Sequence, residues 1–344
     1  MNLARTELHL HLDGSFNIRW AYEKSLQRQV IPKETSFRDY YNMLFENNTK
    51  PHAQSINKFA LTCSILQDAE DLAEAAWDLV RRLHADGIWY AEIRFASQQH
   101  MDKGLSQKEA LAAVIEGAER GMKDFPGITV GIINCMMHKG DDAYANWQEN
   151  LDAIEATKAY LGKGAVGIDL AGYENNGDFR LYAPLIEKAR SLGIPCTVHA
   201  GEMGIGEHVM DAIDMGASRL GHGVNCVENE IWLNRVLKTQ IPLEVCVTSN
   251  VKRTMNYAEH AILTLLEKGA NVTLNSDNMM FARTCARNEH DQLRMLGVSD
   301  AVLEQCTRNA FNAAFCDEDT KQMLHQRLDD YIRTCRESSG KETE

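Results

Sequence analysis

Eight short apolar runs rich in β-branched residues punctuate this chain, and a stretch of helical period follows each one. The runs are residues 7–12, Ile88–Ala96, Ile128–Met137, Ala165–Ala171, Pro195–Ala200, Arg219–Val224, Pro242–Val247 and Asn271–Ser276. Between them, apolar residues recur at helical spacing in Asp68–His84, Ser106–Lys123, Ala143–Leu161, Phe179–Leu192, Glu207–Met215, Glu228–Thr239 and Ala258–Lys268. Gly87, Gly193, Gly216 and Gly269 stand where a helix should stop and a short loop lead into the next strand. Strands alternating with helices predict a parallel sheet, and eight such units predict an α/β fold closed as a (β/α)8 TIM barrel. An open doubly wound sheet is the competing architecture, but no G-x-G-x-x-G follows any strand.

A barrel of this kind takes about 250 residues, and the chain has 344. Residues 14–86 supply far more chain than one crossover needs, so extra helices are expected after strand 1. A further helix, about Ser299–Phe315 and continuing to Arg333, should follow strand 8. Residues 1–335 then form one domain, and the polar 336–344 is expected to fray as a tail. A net charge of −13 without Lys/Arg clusters speaks against nucleic-acid or anionic-membrane partners. No apolar run approaches the roughly 20 residues that span a bilayer, and the first residues lack a secretory signal pattern. The nine cysteines form no C-x-x-C pair and read as reduced thiols, which makes a cytoplasmic location the expectation.

In such a barrel, reacting groups belong at the C-terminal ends of the strands. His9 and His11 lie two apart in Glu7-Leu-His-Leu-His-Leu-Asp13-Gly14, so both imidazoles share one face of strand 1 while Leu8, Leu10 and Leu12 share the other. His199 and Glu202 end strand 5, His222 ends strand 6, and Asp277 ends strand 8. A lone histidine in an apolar stretch is more often a satisfied core residue; four at strand ends, joined by Glu202 and Asp277, point to a metal centre. His9, His11 and His199 make the imidazole set, and Asp277 adds a carboxylate from the strand adjacent to strand 1. One zinc ion there would lower the pKa of a bound water to about 7. His222 would serve as general base or positioner, and Glu202 as a proton shuttle to substrate.

The ordered set His9-Leu-His11-Leu-Asp13-Gly14, His199-Ala-Gly-Glu202, Gly221-His222-Gly223, Ser249-Asn250 and Asn275-Ser-Asp277 resembles the adenosine deaminase family over residues 5–320. The H-x-E and P-C-x-x-C signature of the cytidine-type zinc deaminases is absent. The resemblance implies hydrolytic deamination of adenosine or 2′-deoxyadenosine at purine C6 by a zinc-activated water, with release of ammonia. Carried onto this chain, it makes His9, His11, His199 and Asp277 metal ligands. Glu202 becomes the acid toward N1, and His222 orients and deprotonates the water. The Gly172 amide becomes a donor to purine N3, and Asp13 the partner of the ribose 5′-hydroxyl.

The chain departs from the family pattern at three places. Asn278 stands where a second aspartate usually faces purine N7; its amide can donate to neutral N7, so activity should survive, unless it only caps the following turn. Tyr173 interrupts the usual Gly-Asp-Glu, and Met203-Gly-Ile-Gly206 lacks a frequent proline. Both bear on the substrate rim. Met279, Met280 and Phe281 could wall a purine, although such a stretch is more often core. The alternatives are a sister deaminase of adenine, an N6-substituted AMP or another 6-aminopurine, and a metal-retaining binding protein without turnover. A phosphate-bearing substrate would want cations near the site; Arg94, Lys252 and Arg253 are available, with Arg94 better suited to an ion pair beneath the mouth. A two-metal amide or ester hydrolase would want a lysine from strand 4, which has none.

Overall fold

In the computed structural model, residues 4–45, 58–139, 142–172, 174, 178–203, 205–251 and 256–340 are described. Eight parallel strands pair in sequence order: β1 (Arg5–His11), β2 (Ile88–Phe95), β3 (Thr129–His138), β4 (Ala165–Gly172), β5 (Cys196–Ala200), β6 (Arg219–His222), β7 (Leu243–Val245) and β8 (Val272–Leu274). The ring closes just beyond the end of β8. There the Asp277 amide donates to the His9 carbonyl (2.9 Å), and the His11 amide donates to the Asp277 carbonyl (2.8 Å). The expected (β/α)8 barrel is therefore the observed fold.

Helices α1 (Ile18–Gln27), α2 (Phe37–Phe45) and α3 (Lys58–Ile65) occupy the surplus after β1, ahead of the crossover helix α4 (Ala69–Ala85). The ring continues with α5 (Gln107–Asp124), α6 (Trp147–Tyr160), α7 (Ala183–Ser191), α8 (His208–Met215), α9 (Glu230–Thr239), α10 (Val247–Asn250) and α11 (Ile262–Glu267). After β8 come α12 (Met279–Ala282), α13 (Ala286–Met295), α14 (Asp300–Ala313) and α15 (Glu318–Gly340). Strand periodicity explains the core: Ala91, Ile93 and Phe95 of β2 face the helices, while Glu92 and Arg94 face the barrel axis.

Two expectations need correction. The single helix from Ser299 to Arg333 is broken between Ala313 and Glu318. The break lets Phe315 turn under the barrel, where its ring lies 3.6 Å from the Arg219 guanidinium carbon and its amide donates to Glu92 (2.6 Å). The tail expected at 336–344 is helical through Gly340; 341–344 lie outside the described residues. Leu324, Leu328 and Ile332 pack α15 against Phe311 and Leu8, and once those turns are anchored, each added turn needs no new nucleus. Among the described residues, no helix is long and apolar enough to cross a membrane, and none of the nine cysteines forms a disulfide.

Candidate metal and active site

The barrel's closing bridge sets the site. By hydrogen bonding on both sides of Leu10, Asp277 is drawn between the two β1 histidines, and its Oδ1 lies 3.6 Å from His9 Nε2 and 3.5 Å from His11 Nε2. His199, from β5, points its Nε2 to within 3.3 Å of His11 Nε2. A tetrahedral ion with metal–nitrogen bonds of about 2.0–2.1 Å separates its nitrogens by about 3.3–3.4 Å. His9 is fully buried, and its Nε2 has no hydrogen-bond partner. An orphaned imidazole nitrogen beside two others and a carboxylate is costly unless a cation completes it. The residues fit a metal ion.

Carboxylates behind the ring fix the tautomers. His9 Nδ1 lies 2.8 Å from Glu244 Oε2, and His199 Nδ1 lies 3.0 Å from Asp169 Oδ2, so both rings turn Nε2 inward. Arg94 then joins the two carboxylates, at 2.9 Å from Asp169 and 2.8 Å from Glu244. It is the ion pair beneath the mouth that its position in β2 suggested. Burial opposes charging of His9, and the Arg94 charge adds to that, lowering its pKa to about 4. Burial likewise holds His11 well below its ordinary range. For His199, burial is outweighed by Asp169, and its pKa rises. Burial would also raise Asp277, but the adjacent His9 ring, with those of His222 and His11, holds it well below the carboxylate range. Neutral imidazoles and an ionised carboxylate are the ligating forms.

Glu202 and His222 lie beside the same centre, and with Asp277 they too present ligand atoms within 4.8 Å of one another. His222 Nε2 lies 3.5 Å from Glu202 Oε2, and the Asn250 amide nitrogen lies 3.1 Å from His222 Nδ1. His222 and Asp277 are non-glycine residues at φ of 63° and 58°, a left-handed conformation that costs energy and that functional sites often retain. The loop carrying Glu202 is clamped by Glu174. Its buried carboxylate accepts from the amides of Gly201 (2.6 Å), Glu202 (2.8 Å) and Met203 (3.0 Å), and lies 2.9 Å from His208 Nδ1. Burial alone would raise Glu174, yet His208 and those amides hold it below its ordinary range.

These groups open into a cavity of about 410 Å3, within the range of small-ligand sites. Asp13, Gly172 and Asn278 all line it. Burial, abetted by the nearby Asp277 charge, pushes Asp13 up to about 7, and its Oδ1 has no hydrogen-bond partner. Gly172 sits at φ 112°, where a Cβ would lie 2.5 Å from the His138 carbonyl oxygen, so a side chain is excluded. Asn278 heads α12 but does not cap it: its Nδ2 donates to Asp277 Oδ1 at 2.6 Å, and its buried Oδ1 is unpartnered. Gly14 makes room for that amide, since a Cβ there would meet Asn278 Oδ1 at 1.8 Å. Met279, Met280 and Phe281 pack with the helix core and do not line the cavity. Tyr173, Lys252 and Arg253 lie outside the described residues.

Sequence reasoning placed Arg94 in an ion pair but missed Glu244 and Asp169 as its partners behind the ligands, and Glu174 and Asn250 as the supports of Glu202 and His222. One signal was there to be read: acidic and guanidinium side chains inside apolar strand runs, where an unpaired charge would be prohibitive.

A (β/α)8 barrel whose mouth gathers three imidazoles and a carboxylate around one point defines a barrel enzyme with a centre suited to a metal ion. The chain belongs to the adenosine deaminase family, whose model matches residues 4–331. It is 35% identical to an adenosine deaminase of Haemophilus ducreyi, covering 92% of this chain and 93% of the relative. A Clostridium perfringens adenosine deaminase is 32% identical, over 94% and 97% of the two chains. By structure it is similar to an adenine deaminase of Arthrobacter aurescens (TM-score 0.83, 22% identity, 96% and 99% covered) and to an Arabidopsis N6-mAMP deaminase (TM-score 0.82, 22% identity, 96% and 98% covered).

Proposed function

We propose that this protein hydrolyses the 6-amino group of adenosine and 2′-deoxyadenosine, giving the 6-oxo purine nucleoside and ammonia, in the cytoplasm. The observation that carries the reading is Glu202 and His222 facing the cavity beside the ligand cluster, because a purely structural metal would need neither. Nine cysteines with no disulfide among them support a reducing compartment.

A zinc ion held by His9, His11, His199 and Asp277 would supply a water acidic enough to react near neutral pH. His222, its ring steadied by Asn250, would accept a proton from the attacking water. Glu202 delivers a proton to purine N1, so that electron density withdrawn from C6 has somewhere to go. The Gly172 amide, at the end of β4, donates to N3, and Asp13 receives the ribose 5′-hydroxyl. Asn278 needs only to release Asp277 to turn its amide toward N7. Among the described residues lining the cavity there is no lysine or arginine, which favours an uncharged nucleoside over a nucleotide.

Ultraviolet absorbance of adenosine, 2′-deoxyadenosine, adenine, AMP and N6-methyl-AMP should change rapidly for the two nucleosides alone. Metal chelation should abolish that activity, and added zinc should restore it. Faster turnover of another member of the panel would keep the chemistry and move the substrate assignment. The Glu174→Gln variant should retain its metal but turn over about 10- to 100-fold more slowly, because an amide group set against three backbone N–H donors loosens the loop that aims Glu202. Unchanged kcat in that variant would remove Glu174 from the positioning role.

A further inference from the structure

A second group of ligating side chains meets the same cavity at Asp13, on the residues that follow β1. Asp13, Cys63 and His100 each present a ligand atom within 4.8 Å of the others, and all three are buried. Cys63 Sγ lies 3.7 Å from Asp13 Oδ2 and 3.3 Å from the side-chain oxygen of Gln99. Acceptors outnumber donors here. The thiol has a single proton for two oxygens, and Asp13 Oδ1 has no partner among the described residues. His100 Nδ1 is 3.0 Å from the Leu66 carbonyl, which can only accept, so His100 Nε2 holds a lone pair, and it too is buried and unpartnered. Positive charge is what such a pocket lacks.

We propose that Asp13, Cys63 and His100, with the Gln99 oxygen as a fourth donor, form a second divalent-cation site for a thiophilic ion of the zinc class. Mixed sulfur, nitrogen and oxygen donors select that class, whereas magnesium and calcium take oxygen alone. Tetrahedral zinc with a sulfur bond of about 2.3 Å and an oxygen bond of about 2.0–2.2 Å separates those atoms by about 3.5–3.7 Å. The two sulfur–oxygen distances here bracket that value or approach it. On binding, the Sγ–metal bond forms and the thiol proton leaves to solvent. Asp13 and Gln99 line the cavity, so the ion has a way in. An ion on Asp13 would take the group assigned to the ribose, and excess zinc should then inhibit in competition with nucleoside. That consequence rests on the proposed role of Asp13; the cation site itself does not.

The test uses protein already carrying one equivalent of its catalytic metal. Cadmium is titrated while thiolate-to-metal ultraviolet absorbance is followed, bound zinc is counted after equilibrium dialysis, and adenosine turnover is measured against added zinc. The parent should bind a second equivalent with the thiolate band. Cys63→Ser should keep its basal turnover, lose the band and need at least about tenfold more zinc for inhibition. His100→Asn, which keeps a donor for the Leu66 carbonyl, should weaken the second equivalent while sparing the first. No second equivalent in the parent, or a thiolate band that survives Cys63→Ser, overturns the site. A second ion bound at Cys63 without inhibition supports the site and overturns the ribose role of Asp13.

Discussion

Replacing Glu202 with glutamine should lower turnover by about 10²- to 10⁴-fold, the range a positioned proton donor supplies, while one equivalent of metal stays bound. The side chain lies 3.5 Å from His222 and faces the cavity, and neither Glu244 nor Asp169, which hold the ligand rings, depends on it. Glutamine fills the same volume and keeps the amide contact to Glu174, which comes from the backbone, so folding should be unaffected. Turnover is read by ultraviolet assay and metal by elemental analysis on the same sample. Full activity in the variant would sink the proton-donor role, and loss of metal would show that Glu202 belongs to the coordinating shell instead.

The second large effect is on stability. Substituting Arg94→Met should destabilise the protein by about 3–5 kcal/mol, because removing one partner strands buried charge. Asp169 and Glu244 are both fully buried and both bonded to that guanidinium. Burial would raise the Glu244 pKa, but Arg94 and Arg219 hold it well below the carboxylate range; Asp169 is held down by His199 and Arg94. Folded pKa values below the unfolded ones contribute stability that is present above about pH 4, the unfolded carboxylate range, and lost as pH falls through the folded values. Without Arg94 those folded values rise, so acid unfolding should begin at higher pH. Metal retention should weaken too, since the same carboxylates orient His9 and His199. Urea denaturation at neutral and acidic pH, with metal analysis, measures all three. Unchanged stability would mean the carboxylates take up protons at little cost.

The periodic parts of this chain were legible. Alternating Leu and His in β1 declare which face is core and which is site, because strand side chains alternate regardless of what surrounds them. Helix α13 was not legible: its sequence ARNEHDQLRM is nearly all polar, and only Ala286, Glu289, His290 and Leu293 turn inward. Nor was the break before α15, where local helix propensity yields to Phe315 filling the space under Arg219. Asn278 lines the cavity, and what no local pattern announced is that its Nδ2 donates to the neighbouring Asp277.

Sequence alone determined the order of the strands, the ring of eight and the identity of the inward-facing histidines, since hydrophobic period and strand-end position are local properties. Tertiary structure alone decided which charges pair. Arg94 meets Asp169 and Glu244 across 75 and 150 residues of chain, and Cys63 meets Asp13 across 50. No local pattern encodes such meetings, because they depend on how barrel closure brings distant strands to one axis.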